Sequence, residues 1–206
     1  ATRVSEKPDS GSAMWDPKYS GEILTFNNSR DAFGVAQYLL GYDVNSTNPD
    51  EWRAAEEKLK EQKPLIQSYV MDEVFNKMEA GEAAMAPYYA GDYLTMKQEN
   101  DDLAFVYPKE GTNKFVDVMC IPSSSENKKA AELFINYMCE PEVALHNANY
   151  LGYLCPVTAV LSDDRYEYKD NEVLYPKQEV KTQFFHNLDQ DTLDLLSKLW
   201  EDLKLA

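Results

Sequence analysis

Residues 24–34 read LTFNNSRDAFG, and this short stretch holds the fold in miniature. A β-prone run from Glu22 to Phe26 gives way, through Asn27-Asn28, to apolar residues at helical spacing. Phe33, Ala36 and Leu40, with Val35 and Leu39 beside them, predict a helix over Ser29–Leu40 that Gly41 stops. A strand passing straight into a helix is the βα unit of an α/β protein, and its connection lies at the strand's C-terminal edge, where such proteins bind ligands. Asn28 and Asp31 have two readings there. As helix N-cap and third helical residue they resemble a capping box, with Asp in place of Glu. Alternatively, they offer an amide and a carboxylate to a ligand from one face of the first turn.

Outward from this stretch the same alternation continues. Asn48-Pro49 opens a helix with Trp52, Ala55 and Leu59 on one face, and Asp72–Ala80 reads as a short helix ended by Gly81. Residues 83–87 read as a strand leading through Tyr88-Tyr89-Ala90-Gly91-Asp92 into a helix that reaches about Asn100. Two further strands are expected at 103–107 and 115–121, with a turn over 108–113 between them. An amphipathic helix follows at 126–139, through Ala130, Leu133, Phe134, Tyr137 and Met138, then a short one at 141–148. The last helix, 189–203, places Leu193, Leu196, Trp200 and Leu203 on one stripe. Residues 1–14 are polar and turn-rich and read as a linker. Strands alternating with helices make this an α/β chain.

The 206 residues suffice for one large domain or two small ones, and 44% hydrophobic content is that of a folded protein. No apolar run is long enough to cross a bilayer. Acidic residues outnumber basic ones, 36 to 20, for a net charge of −16, a field that repels nucleic acid and attracts cations. Cys120, Cys139 and Cys155 lack metal spacing and read as buried thiols, with at most one disulfide among them.

Enzymatic signatures are thin: the sequence has no GxSxG, HExxH, P-loop or strand-linked GxGxxG. His146 and His186 lie far apart, and Asp101-Asp102 and Asp163-Asp164 sit in turn-like stretches that face water. Binding residues are easier to find. Tyr88-Tyr89 precedes a helix at the ligand edge, where a ring can face a cation. In Phe115-Val116-Asp117, an inward Val116 puts Phe115 and Asp117 on the other face, so an aromatic ring and a carboxylate are neighbours. An aspartate in an apolar strand is the least expected residue in the chain.

At these segments the sequence resembles the spermidine/putrescine-binding proteins of bacterial polyamine ABC transporters. The resemblance is carried by WDPKYSG (15–21), LTFNNSRDAFG (24–34), GEAAMAPYYAGD (81–92), YPKEGTNKFVDVMCIP (107–122), INYMCEPEVA (135–144) and YLGYLCP (150–156). It implies a group II periplasmic-binding-protein fold, a non-enzymatic role with no cofactor, an extracytoplasmic location, and permease subunits as partners. It further implies that residues 15–116 and 166–206 form the second lobe, and that 117–165 hold a hinge strand and the remainder of a first lobe whose opening segment has no counterpart here. Polyamine contacts are implied at Asn28, Asp31, Tyr89, Phe115, Asp117, Tyr153 and Asn187. An Asn stands at 28 where the family commonly has an acid, and Tyr89 and Phe115 stand where it can have Trp.

The chemistry of such a site is simple. Carboxylates at Asp31 and Asp117 would hold ammonium ends by charge-assisted hydrogen bonds, about 1.5–3 kcal/mol each. Tyr89, Phe115 and Tyr153 would pack on the methylenes. Two other functions fit less of the sequence. Adjacent Tyr88 and Tyr89 could ligate ferric iron on the same broad fold, and paired carboxylates beside aromatics could serve a glycosidase. The apolar faces of 118–160 (Leu133, Phe134, Tyr137, Met138, Val143) are expected either to repack on the second lobe or to pair with a second copy of the chain.

Overall fold

In the computed structural model, which describes residues 3–4 and 6–206, the chain divides into two compact units. The first comprises Ala1–Tyr89, Met96–Phe115 and Val180–Ala206, and the second Ala90–Thr95 and Val116–Glu179.

The first unit is built on the βα stretch. Strand β1 (Ile23–Phe26) is buried along its whole length and leads into helix α1 (Ser29–Leu40), which Gly41 closes in the left-handed conformation at φ 74°. Helix α2 (Pro49–Gln62) returns the chain to β2 (Ile66–Val70), which pairs with β1 in parallel, Thr25 opposite Tyr69 and Phe26 opposite Val70. The residues expected to form a strand at 83–87 contribute a single bridge, Met85 to Ile23. Helix α3 (Glu73–Glu79) lies between. A second parallel pair joins β3 (Thr112–Lys114) to β4 (Thr182–Phe184), Lys114 opposite Phe184.

The main core lies between helices. Phe33 and Ala36 of α1, Trp52, Ala55 and Leu59 of α2, and Leu196, Leu199 and Leu203 of the terminal helix α8 (Gln190–Leu205) form one buried cluster. The apolar stripe of α8 therefore runs through Leu199 rather than Leu193, which is exposed, and Trp200 packs at its margin. The stretch read as a linker also has structure. Gly11–Trp15 form a 3-10 turn capped by the Ser10 hydroxyl, and Met14 is buried with Tyr19 and Ile23.

Helix α4 (Ala90–Glu99) opens in the second unit. That unit otherwise holds α5 (Lys128–Met138), α6 (Pro141–Leu151) and the single turn α7 (Thr158–Leu161). Its core is small: Ala144, Leu145, Ala148, Val160 and Tyr166. The fork of Arg165 on Glu142 and Asp163 ties α6 to the loop after α7 at its surface.

Three expectations are corrected here. Residues 103–107 and 115–121 are not strands, and neither stretch joins the two described sheets. An extended run becomes a strand only where its N–H and C=O groups meet a partner. Val116 and Val118 are accordingly 69% and 75% exposed. Of the two alternatives for the apolar faces of 118–160, repacking on the same chain is not seen for Leu133, Phe134 and Tyr137 of α5, which are exposed, whereas Met138 of α5 and Val143 of α6 are half-buried. The cysteines are free, and Cys120 and Cys139 are exposed rather than buried, one in the irregular segment after β3 and the other capping α5. Cys155, half-buried, packs against the small core.

Candidate functional site

The residues singled out from the sequence gather into two groups, one in each unit. In the first, β1 delivers the chain to α1, and Asn28 caps that helix. Its Oδ1 accepts from the N–H groups of Arg30 at 2.9 Å and Asp31 at 3.3 Å. The cap is therefore real, but the reciprocal half of a capping box is not. Asp31 turns its carboxylate away from the backbone and accepts a hydrogen bond from the Tyr89 hydroxyl, Oδ2 to Oη 3.0 Å. Tyr89 itself stands in a ring cluster, 4.9 Å from Tyr88, 5.5 Å from Phe26 and 5.4 Å edge-on from Phe115. The Asp31 carboxylate is thus joined through the Tyr89 hydroxyl to an aromatic cluster. Burial raises the Asp31 carboxyl above the usual aspartate value, partly opposed by the Tyr89 hydrogen bond and the Arg30 charge.

The second unit repeats the device. The Tyr153 hydroxyl donates to Asp92 Oδ1 at 2.9 Å. Burial is the chief reason its phenol is pushed well above the usual tyrosine range, with the Asp92 carboxylate next and the negative charge of Asp117 adding to it. Asp117 is exposed, in the irregular segment after β3, and its field reaches the Tyr153 hydroxyl. The ring of Tyr153 lies tight against the first turn of α4: a Cβ at Gly91 would come within 2.2 Å of it.

Asp92 was not singled out in the sequence, although a signal was there. α1 follows the cap Asn28 and carries Asp31 three residues on; α4 follows Tyr89 and carries Asp92 three residues on. Both acids sit in the first turn of a helix, where the helix dipole favours an anion, and both are held by a tyrosine hydroxyl. Phe115 and Asp117, neighbours in the sequence, fall on opposite sides of the boundary between the units. Asn187 belongs to the first unit, exposed in the segment between β4 and α8.

Nothing in the arrangement favours iron. Tyr88 stacks on Phe26 at 5.7 Å, the Tyr89 hydroxyl is engaged by Asp31, and among the described residues no group of three or more His, Cys, Asp or Glu side chains is placed to hold a metal ion.

Comparison with known proteins shows the family and the fold. The family model described as bacterial extracellular solute-binding protein matches residues 1–174. The spermidine/putrescine-binding periplasmic protein of Escherichia coli K12 is 31% identical over 81% of this chain and 48% of its own length. A putrescine-binding periplasmic protein of the same organism is 27% identical over 78% of this chain and 45% of its own. Among solved structures, a spermidine/putrescine ABC transporter substrate-binding protein from Streptococcus pneumoniae superposes with a TM-score of 0.84 at 30% identity, over 99% of this chain and 64% of that one. A protein from Listeria monocytogenes described as a putative spermidine/putrescine ABC transporter gives 0.83 at 31%, over 98% and 63%. The chain spans about half the length of the curated relatives it matches. The fold is thus the α/β type of these periplasmic binding proteins, present as one lobe and a fragment of another.

Proposed function

The chain belongs to the bacterial extracellular solute-binding proteins, and from that premise we propose that it captures a linear polyamine outside the cytoplasm for the permease subunits of an ABC importer. The observation that carries this reading is the contact of Asp31 with Tyr89 in the aromatic cluster of the first unit, and the second unit, taken by itself, has a contact of the same kind between Asp92 and Tyr153. A diamine or triamine has ammonium groups separated by methylenes. Anions dispersed among aromatic faces match that pattern, because each ammonium finds a carboxylate and each alkyl segment a ring. Phe115 and Asp117 extend it, and Asn187 adds an amide. Relatives described as spermidine/putrescine-binding and as putrescine-binding proteins support the ligand class and the periplasmic location. Among the described residues no helix is long and apolar enough to cross a membrane. Calorimetric titration of putrescine and spermidine into the protein tests the proposal, and absence of heat from both, with folding intact, overturns it.

Asp117→Asn is expected to weaken polyamine binding at least tenfold, about 1.4 kcal/mol, because the change removes an exposed negative charge while keeping the side chain's shape. Equal affinities of variant and parent would remove Asp117 from the site.

Binding is also expected to depend on pH with a definite sign. Burial raises the Asp31 pKa in the free protein, so folding favours its protonated form. Its contribution to stability is present at low pH and is lost as the pH rises through the raised value. An ammonium beside it prefers the ionised form. Affinity should therefore fall on acidification through that range, with protons released on binding. Titrations in two buffers of different ionisation enthalpy measure the release. An affinity that rises on acidification contradicts the placement of Asp31 against a cation.

A further inference from the structure

Asn187, one of the proposed contacts, lies on a stretch with little regular structure, since β4 ends at Phe184 and α8 begins at Gln190. An amide on such a stretch discriminates ligands only if something else fixes the backbone. Two side chains from the other end of the first unit do so.

Arg30, in the first turn of α1, lies against two rings, its guanidinium carbon 5.5 Å from the centre of Trp52 and 4.6 Å from that of Phe185. It donates from Nη1 to the Val44 carbonyl at 2.7 Å, and from Nη2 to Asn45 Oδ1 at 2.9 Å and the His186 carbonyl at 3.4 Å. Asn45 completes the clamp. Its Oδ1 also accepts the His186 N–H at 2.7 Å, and its Nδ2 donates to the Phe184 carbonyl at 2.8 Å. Three consecutive residues are thereby held, Phe184 by its carbonyl, Phe185 by its ring and His186 by both backbone groups. Asn187 is the next residue. The packing leaves no slack, for a Cβ at Gly34 would meet the Phe185 ring at 3.0 Å.

The clamp also bears on the aromatic side of the site. Lys114 pairs with Phe184 in a parallel ladder, and Phe115 directly follows Lys114. Parallel strands leave their ladder in the same direction, so the residues that hold Phe184 set the exit of both Phe115 and Asn187. The planar, always charged fork of arginine suits this role, since it can stack on a ring and donate to several oxygens at once, which a lysine ammonium cannot do.

We propose that Arg30 and Asn45 are positioning residues of the polyamine site, acting through Asn187 and Phe115 without touching the ligand. The proposal rests on the function argued above.

The test combines exchange and titration. In the ligand-free protein, Asn45→Ala is expected to speed amide hydrogen exchange across 184–187 at least tenfold while leaving α8 residues such as Leu196 and Leu199 unchanged. Unaltered exchange at 184–187 overturns the clamp. For spermidine binding, Asn45→Ala and Asn187→Ala should each weaken affinity several-fold, and the double variant should be no weaker than the worse of the two, the non-additivity expected of residues acting as one unit. Losses that multiply in the double variant would show that Asn45 does not act through Asn187 and overturn the positioning role. Arg30→Lys, which keeps the charge but not the fork, should resemble Asn45→Ala in both measurements, and parental behaviour would remove Arg30. If the unaltered protein binds neither spermidine nor putrescine, the functional reading itself fails. That control separates the failure of the reading from failure of the clamp alone.

Discussion

Trp52→Ala is expected to lower the unfolding free energy of the first unit by about 3–5 kcal/mol, the range for deleting a large aromatic from a packed core. Trp52 is 0% exposed and packs with Phe33 at a ring separation of 5.8 Å, in the cluster that joins α1, α2 and α8. Its indole N–H donates to the Ser46 carbonyl at 2.7 Å, so truncation also deprives that carbonyl of its donor. Arg30 would lose one of the two rings beside it. Trp52→Phe should cost less, since most of the ring volume remains. Urea unfolding followed by circular dichroism measures both, and a loss below about 1 kcal/mol for the alanine variant would be too small for a core aromatic.

Gly91→Ala is expected to act against its usual sign. In the first turn of a helix, alanine is normally favoured over glycine by about 0.5–1 kcal/mol. Here the added methyl would fall 2.2 Å from one carbon of the Tyr153 ring and 2.3 Å from the next. The ring must swing away, giving up the Asp92 hydrogen bond and disturbing the packing at a cost of about 1–3 kcal/mol, the usual range for overpacking. Thermal unfolding should show a loss, and polyamine titration a weaker affinity, because the displaced ring is one of the proposed contacts. A variant more stable than the parent would mean that Tyr153 does not lie against α4.

Much of the first unit was legible because its signals are local. Asn28 caps α1, Gly41 ends it in the left-handed conformation, and Pro49 opens α2, each by chemistry confined to a few residues. Strand identity was harder to read, because it depends on partners. Residues 66–70, IQSYV, mix polar and apolar side chains and form a strand because β1 lies alongside. Residues 115–121 have strand composition but belong to neither of the described sheets. β3 forms one segment earlier, at Thr112–Lys114, because Thr182–Phe184 is there to receive it.

The site was legible to the same degree. Asp31 and Tyr89, 58 positions apart, were both read as candidates, and the structure brings them into contact. Asp92 was passed over because a lone acid after glycine looks like an ordinary helix-start residue. What distinguishes it is Tyr153, far along the chain. The clamp at Arg30 and Asn45 was likewise out of reach, since both act on backbone groups more than a hundred positions away.

The inequality of the two cores has a thermodynamic consequence. Among the described residues, the first unit has a three-helix cluster of eight buried residues and a further one around Met14, Tyr19 and Ile23, whereas the cluster of the second has five. Cooperativity extends only as far as contiguous packing, so the chain behaves as two foldons of different free energy. The smaller one, which holds Asp92, Asp117 and Tyr153, is expected to open at lower temperature in a hydrogen-exchange or calorimetric measurement. A ligand held by residues of one unit alone would raise that unit's transition with the logarithm of its concentration and leave the other where it was.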